Sequence, residues 1–311
     1  MLFLFLSILL SVVLLLNFRL FPRYEINTFQ AIVFNYFVCF LTGYLLLPEG
    51  QSVSIDLSQT WTWLALGLGV GFILTFLLSG LSTQRIGITA TSLANNLSLV
   101  IPVCFSLFVF QTGGKTFDSF NYLGLVLAVV AVGLSTYKKE PAPTSDPDGS
   151  TATYPHKARL SGATLLLPVA VFLLYGATNT IINYMNIHYI ASSGNTVVVM
   201  LTMIMGAIVA GTIMLGVRLI RGQEKIVVRN LIGAVTLGVP NFLSFYTLLL
   251  ALSQFGGNGA FVYPLYNIGV ILVAALLAAL FFREKLSTAN RIGLVLAVLA
   301  IALISWQELL L

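Results

Sequence analysis

Apolar residues in this chain fall in long runs broken by short polar stretches. They do not alternate, nor recur every third and fourth position, as a half-buried strand or a surface helix requires. A helix rising 1.5 Å per residue needs about 20 apolar residues to cross a hydrocarbon core of roughly 30 Å. Ten runs approach that length, over residues 1–17, 28–47, 61–83, 88–111, 120–137, 162–182, 195–217, 230–252, 258–282 and 292–307. The first, MLFLFLSILLSVVLLLNF, has no basic residue ahead of it and no small-residue cleavage site behind it. It therefore reads as a helix of the mature protein and not as a secretory signal. The one long polar interruption is KKEPAPTSDPDGSTATYPHKAR, Lys138 to Arg159. That composition cannot bury a core and reads as an exposed linker. It divides the chain into a first unit (1–137), a linker (138–160) and a second unit (161–311), with five runs in each unit.

Composition agrees: 58% of residues are hydrophobic and 8% charged, against about a quarter charged in a soluble domain. The expected fold class is an all-α integral membrane protein of ten transmembrane helices. Cys39 and Cys104 both lie inside apolar runs, so they read as buried small hydrophobes; neither a disulfide framework nor a metal site is expected.

The hexapeptide GLVLAV occurs at Gly124–Val129 and again at Gly293–Val298, each time in the fifth run of its unit. The match extends to FNYLGLVLAVVAVGL against ANRIGLVLAVLAIAL, keeping an asparagine three residues before the glycine. Because five is odd, a second copy of a five-helix unit enters the membrane from the opposite side, giving two inverted five-helix repeats. Lys and Arg in short loops favour the cytoplasm. Counted in order, the odd loops hold fourteen of the fifteen basic residues, and the even loops hold only Lys115. This predicts both termini on the outer side. The net charge of +5 follows from topology and gives no reason to expect nucleic acid as a partner.

The closing stretch NGAFVYPLYNIGVILVAALLAALFFREKLSTANRIGLVLAVLAIALIS resembles the drug/metabolite transporter superfamily, specifically its EamA-like ten-helix branch. The resemblance lies in a mid-helix proline, an F-x-E-x-x-S turn and a closing G-x-x-L helix, carried by Pro264, Phe282, Glu284, Ser287 and Gly293. The first unit keeps Pro102 and Gly124 but has QTGGKTF where the acidic turn would fall. The resemblance implies a multi-pass secondary transporter of the bacterial inner membrane. Such a protein moves a small metabolite through a central cavity by alternating access, in efflux or facilitated exchange. It needs no cofactor, and a homodimer is compatible with it.

Polar side chains at membrane depth are costly and tend to face protein or water. Asn95 and Asn96, with Ser92 and Ser98, mark the fourth run; Tyr263, Tyr266 and Asn267 lie at similar depth in the ninth. In the sixth, Tyr175, Asn179, Asn183 and Asn186 share one helical face. Asn35 in the second run and Asn241, after Pro240 in the eighth, complete the candidate substrate-binding set. The same residues also suit hydrogen bonding between helices. Pro102, Pro168, Pro240 and Pro264 are candidate kinks, and Gly67, Gly69 and Gly71 candidate close-approach points.

All ten acidic residues lie in loops or at run ends, so no deep carboxylate is available to exchange protons against a cationic drug. His188, after the sixth run, reads as an interfacial side chain. The expected cavity is neutral and lined by amides and hydroxyls. It suits polar uncharged or zwitterionic solutes of the amino acid, nucleoside or sugar class. No G-x-S-x-G or H-E-x-x-H pattern is present, so no enzyme is expected. A non-transporting membrane scaffold or receptor is the alternative.

Overall fold

The structure, a computed structural model, describes residues 1–47, 55–108, 118–136, 166–185, 188–189, 196–255, 259–284 and 286–306. The expected linker, 138–160, lies outside them. Among the described residues all regular structure is helical. Helix α1 is Leu2–Leu20, followed by a short 3₁₀ turn, Phe21–Tyr24; α2 is Thr28–Leu45, α3 Thr60–Arg85, α4 Ile88–Leu97, α5 Val100–Phe108 and α6 Ser119–Thr136. In the second part, α7 is Leu167–Met185, α8 Thr196–Ile220, α9 Arg229–Gln254, α10 Gly259–Phe282 and α11 Thr288–Ile304.

Seven of these (α1, α2, α3, α7, α8, α9 and α10) are long and apolar enough to cross a membrane. Helices α6 and α11 are apolar but shorter. Their outer surfaces match a lipid solvent. Leu272, Leu276 and Leu280 stand 45, 57 and 65% exposed at four-residue spacing along α10, a row that water would penalise and hydrocarbon would not.

The fourth apolar run, expected as one helix over 88–111, is two helices separated by a turn at Ser98–Leu99. The cause is Pro102. Its ring has no N–H to give the Ser98 carbonyl four residues back and collides with it. Ser98 O instead accepts from Ile101 N at 3.0 Å, in the tighter three-residue pattern. Pro168, by contrast, is the second residue of α7, where the missing N–H costs nothing. It makes no interior kink.

Helix ends are set by local chemistry. The Asn27 side chain caps α2 by accepting from Gln30 N at 3.1 Å, and the Ser287 hydroxyl caps α11 by accepting from Asn290 N at 3.1 Å. The cap places the start of α11 at Thr288, four residues before the expected start of the tenth run. At the start of α4, Glu284 from the α10–α11 turn accepts from Ile88 N at 3.1 Å, a carboxylate at the positive end of a helix. Gly87 makes room for it: its φ is +127°, and a β-carbon there would lie 2.5 Å from Glu284 Oε1.

The two copies of GLVLAV pack against each other. Gly124, Ala128 and Ala131 of α6 and Gly293, Ala297 and Ala300 of α11 are all buried, and α6 and α11 are in contact. A β-carbon on Gly124 would lie 2.9 Å from the Ala300 carbonyl, so the small residues let the two backbones meet. Asn121, three before Gly124, donates to Ile304 O at 2.8 Å and Leu303 O at 3.2 Å. It thereby satisfies carbonyls that the end of α11 leaves open. Of Gly67, Gly69 and Gly71 in α3, Gly69 alone abuts backbone, that of Gly206 and Ala207 in α8; Gly67 has open space and Gly71 touches only the Thr178 side chain.

Helices from both parts of the sequence mix in the core. One apolar cluster joins α4, α5, α6, α7, α10 and α11. A second joins the end of α1 with α2, α3, α8 and α9.

Candidate functional site

Three phenols at least half-buried come from three helices: Tyr36 of α2, Tyr175 of α7 and Tyr266 of α10. The Tyr36 ring lies 6.0 Å from that of Phe76 in α3, one turn before Ser79. Two of the phenols are held by a hydroxyl from a further helix. Ser79 of α3 donates to the Tyr175 hydroxyl at 3.2 Å, and the Tyr266 and Ser11 hydroxyls share a 2.6 Å hydrogen bond. Tyr36 also faces Cys39 one turn along α2.

The Cys39 thiol lies 3.3 Å from both the Asn35 amide oxygen and the Gly238 carbonyl. It has one proton and so donates to one of them at a time. Asn241 of α9 donates to Asn35 Oδ1 at 3.1 Å and lies 3.4 Å from the sulfur. Asn35 sends its own N–H to Ile32 O at 3.1 Å. The arrangement is possible because α2 and α9 approach closely at Gly238, where a β-carbon would lie 2.7 Å from Asn35 O.

Two members of this region have unspent hydrogen-bonding capacity. The Tyr36 hydroxyl is buried and has no hydrogen-bond partner among the described residues. Leaving such a donor unpaired costs about 1–3 kcal/mol, which a ligand acceptor would recover. Asn267, one residue beyond Tyr266, is 4% exposed and makes no hydrogen bond through its amide among the described residues.

The other expected site residues are distributed unevenly. Asn179 of α7 reaches the broken fourth run, donating to Ser98 Oγ at 3.4 Å. Asn96 is buried but spends its amide on its own helix, on Ser92 O at 2.8 Å and Ser92 Oγ at 3.4 Å. Asn95 is half-buried and its carbonyl accepts from the Ser98 hydroxyl. Asn183 is half-buried with no hydrogen bond to its side chain among the described residues, and Tyr263 is 42% exposed. Asn186 lies outside the described residues. His188 is exposed, its ring 4.4 Å from that of Tyr184.

Tyr36, Cys39, Ser79 and Ser11 are the members that sequence reasoning missed. Asn35 and Cys39 sit four apart, on one helical face. That spacing was the available signal, but a cysteine in an apolar run reads first as core. No charged side chain belongs to the cluster.

Two cavities open elsewhere, at the end of the molecule that carries the first and seventh loops. One, of about 420 Å³, is bordered by Asn27, Gln30, Glu224 and Asn230. Its walls are tied together: Glu224 accepts from Asn27 Nδ2 at 2.9 Å and Gln30 Nε2 at 2.8 Å, while Asn230 Nδ2 donates to Gln30 Oε1 at 2.8 Å. The other, of about 590 Å³, lies between the end of α1 and the start of α9.

By fold, then, this is an all-helical protein with several helices long and apolar enough to span a membrane. No family model matches the chain. An uncharacterized protein of Haemophilus influenzae (strain ATCC 51907 / DSM 11121 / KW20 / Rd) is 25% identical over 276 residues, covering 88% of this chain and 86% of that protein. A solved crystal structure shares the fold across 97% of both chains, with a TM-score of 0.55 at 14% sequence identity.

Proposed function

We propose that the chain is a secondary transporter, of the bacterial inner membrane, for a small polar or zwitterionic metabolite, built as ten spans in two inverted five-helix repeats. The observation that carries the reading is a set of polar side chains tied across helices (Ser11 to Tyr266, Ser79 to Tyr175, Asn241 to Asn35), beside a buried Tyr36 hydroxyl with no partner among the described residues. Small-molecule sites combine apolar walls with a few convergent polar groups, and here those groups come from both parts of the chain.

The packing supports the repeat. Where α1 meets α10, α7 meets α4; where α2 meets α9, α8 meets α3; and α6 meets α11. Each contact maps onto another, or onto itself, when every span is exchanged with the one five places along. The link between α1 and α10 is the Ser11–Tyr266 hydrogen bond, and that between α7 and the fourth span is Asn179–Ser98. These are polar ties at equivalent helix pairs. The acyl chains of the bilayer surround the bundle, and the broken fourth span supplies a joint about which the site changes access.

The substrate class follows from the absence of charge in the cluster, whose amides, phenols, thiol and hydroxyls donate and accept without a counter-ion. The test is a thermal-shift screen of the detergent-solubilised protein against amino acids, nucleosides, sugars and organic cations, repeated on Tyr36→Phe and Tyr175→Phe. A stabilising solute raises the melting temperature by mass action. The expected result is a hit among the neutral or zwitterionic classes that weakens at least tenfold in Tyr36→Phe, while the unliganded melting temperature holds or rises. A hit confined to organic cations, or one indifferent to both variants, overturns the assignment.

A further inference from the structure

We propose that the crevice between the end of α1 and the start of α9 binds an anionic phospholipid. The cavity measures about 590 Å³, and its border includes Leu20, Arg23, Glu25, Arg229, Ile232 and Thr236. The inference needs only that the protein sits in a membrane and does not rest on the transport reading.

The crevice has the two-part chemistry of a lipid. One end is cationic. Arg23 is exposed and makes no hydrogen bond or ion pair among the described residues. Arg229 uses one nitrogen on the Glu25 carboxylate and the Tyr24 carbonyl, and a guanidinium has five donors. Glu25 is the one acid bordering the cavity, and its side chain is 81% exposed, so two guanidinium groups face one carboxylate. The other end is apolar and opens outward: Ile232 on its border is 62% exposed, on a helix long and apolar enough to cross a membrane.

A phosphodiester between Arg23 and Arg229 would therefore leave its acyl chains running along Ile232 into the bilayer. A soluble anion could use the arginines but not the wall. The location agrees, because this end carries the first and seventh loops, rich in Arg and Lys. Basic residues at a membrane surface with anionic lipid attract it.

The gap itself has a cause in the chain. Pro240 cannot hydrogen-bond the Thr236 carbonyl, and Asn17 reaches across from α1 to donate to that oxygen at 2.9 Å. A short polar side chain thus bridges the helices where a bulky apolar one would otherwise fill the space.

The test is native mass spectrometry with melting curves of the full chain in neutral detergent, with dioleoyl phosphatidylglycerol or dioleoyl phosphatidylcholine added and inorganic phosphate as a third arm. Expected is a preference for phosphatidylglycerol that drops about fivefold for each arginine removed in Arg23→Gln and in Arg229→Gln made with Glu25→Gln. Glu25→Gln alone should strengthen it. Ile232→Trp, which fills the wall and keeps both arginines, should abolish it; this variant covers the case in which the arginine variants fold poorly. Equal binding of the two lipids overturns the proposal, as does a preference that survives both arginine changes. Equal stabilisation by inorganic phosphate would mean a soluble-anion site and overturn it too.

Discussion

The fourth apolar run and helix α9 each carry an interior proline, yet one is broken and the other is continuous. Both prolines orphan the carbonyl four residues earlier, Ser98 for Pro102 and Thr236 for Pro240. The difference lies in what reaches that oxygen. Thr236 O is met by Asn17 from the neighbouring helix at 2.9 Å, so α9 keeps its course over 26 residues. Ser98 O is met from within its own chain by Ile101 N, which demands a tighter turn, so the helix divides into α4 and α5. Pro264 makes a third case: its orphaned carbonyl, Ala260, lies in the first turn of α10, and nothing breaks. A proline in a membrane helix thus sets a local shortage, and the partner that supplies it decides the geometry.

The largest effect should come from healing the break. Pro102→Ala restores an N–H that can reach Ser98 O, and an interior proline costs about 3 kcal/mol in a helix. We expect a clear rise in melting temperature together with at least a tenfold loss of solute-dependent stabilisation, since Ser98 also receives Asn179. A variant with unchanged melting temperature would show that the break has another cause. One that is stabilised but still responds fully to solute would remove the break from the mechanism.

The reverse experiment creates a shortage in α9. Asn17→Leu leaves the exposed Thr236 carbonyl without its donor, at a cost of about 0.5–1.5 kcal/mol, the net worth of one hydrogen bond. Adding Pro240→Ala returns a backbone donor to the same oxygen, so the double variant should regain most of the loss. The coupling from the four melting curves should be about 1 kcal/mol or more. Additive effects would mean that Asn17 stabilises through Val13 O, its other acceptor at 3.1 Å, and that α9 tolerates its orphan unaided.

How much of this was legible in the sequence varies with the kind of signal. Long apolar runs located the helices, because bilayer thickness leaves few alternatives for a segment such as 61–83. The break at Ser98–Leu99 was not legible. Nothing in TSLANNLSLVIP says whether a neighbour will reach the carbonyl freed by Pro102, and that is a tertiary fact. In the site, Asn35, Asn241, Tyr175 and Tyr266 stood out because amides and phenols at membrane depth are conspicuous. Cys39 read as a buried small hydrophobe, and Ser79 and Ser11, cheap to bury in an apolar helix, drew no attention. Asn96 drew attention for the same reason as Asn35, yet its amide folds back on Ser92 one turn earlier, which a linear reading cannot distinguish from a group facing a cavity.

The smallest effect concerns how the two helices begin. Near the start of α9, beside the Arg229–Glu25 ion pair, a second tie is made by neutral groups: Asn230, its second residue, donates to Gln30 and accepts from Asn27 N at 2.8 Å each. At the start of α4 the tie is the Glu284 carboxylate on Ile88 N. Glu284→Gln and Glu284→Ala separate the two possible sources of its stabilisation. A glutamine oxygen still accepts the hydrogen bond but brings no charge to the helix end. If the hydrogen bond dominates, Gln should cost well under 1 kcal/mol and Ala about 1 kcal/mol, as for loss of a capping acceptor. If the interaction with the helix dipole dominates, Gln and Ala should cost nearly the same, about 0.3–1 kcal/mol, and the loss should shrink as salt is raised. The geometry favours the first outcome, since the carboxylate is aligned on a single N–H at 3.1 Å and Gly87 leaves it room to stay there. A glutamine variant as weak as the alanine one at low salt, with both recovering at high salt, would show that α4 is held by charge where Asn230 ties α9 through neutral hydrogen bonds.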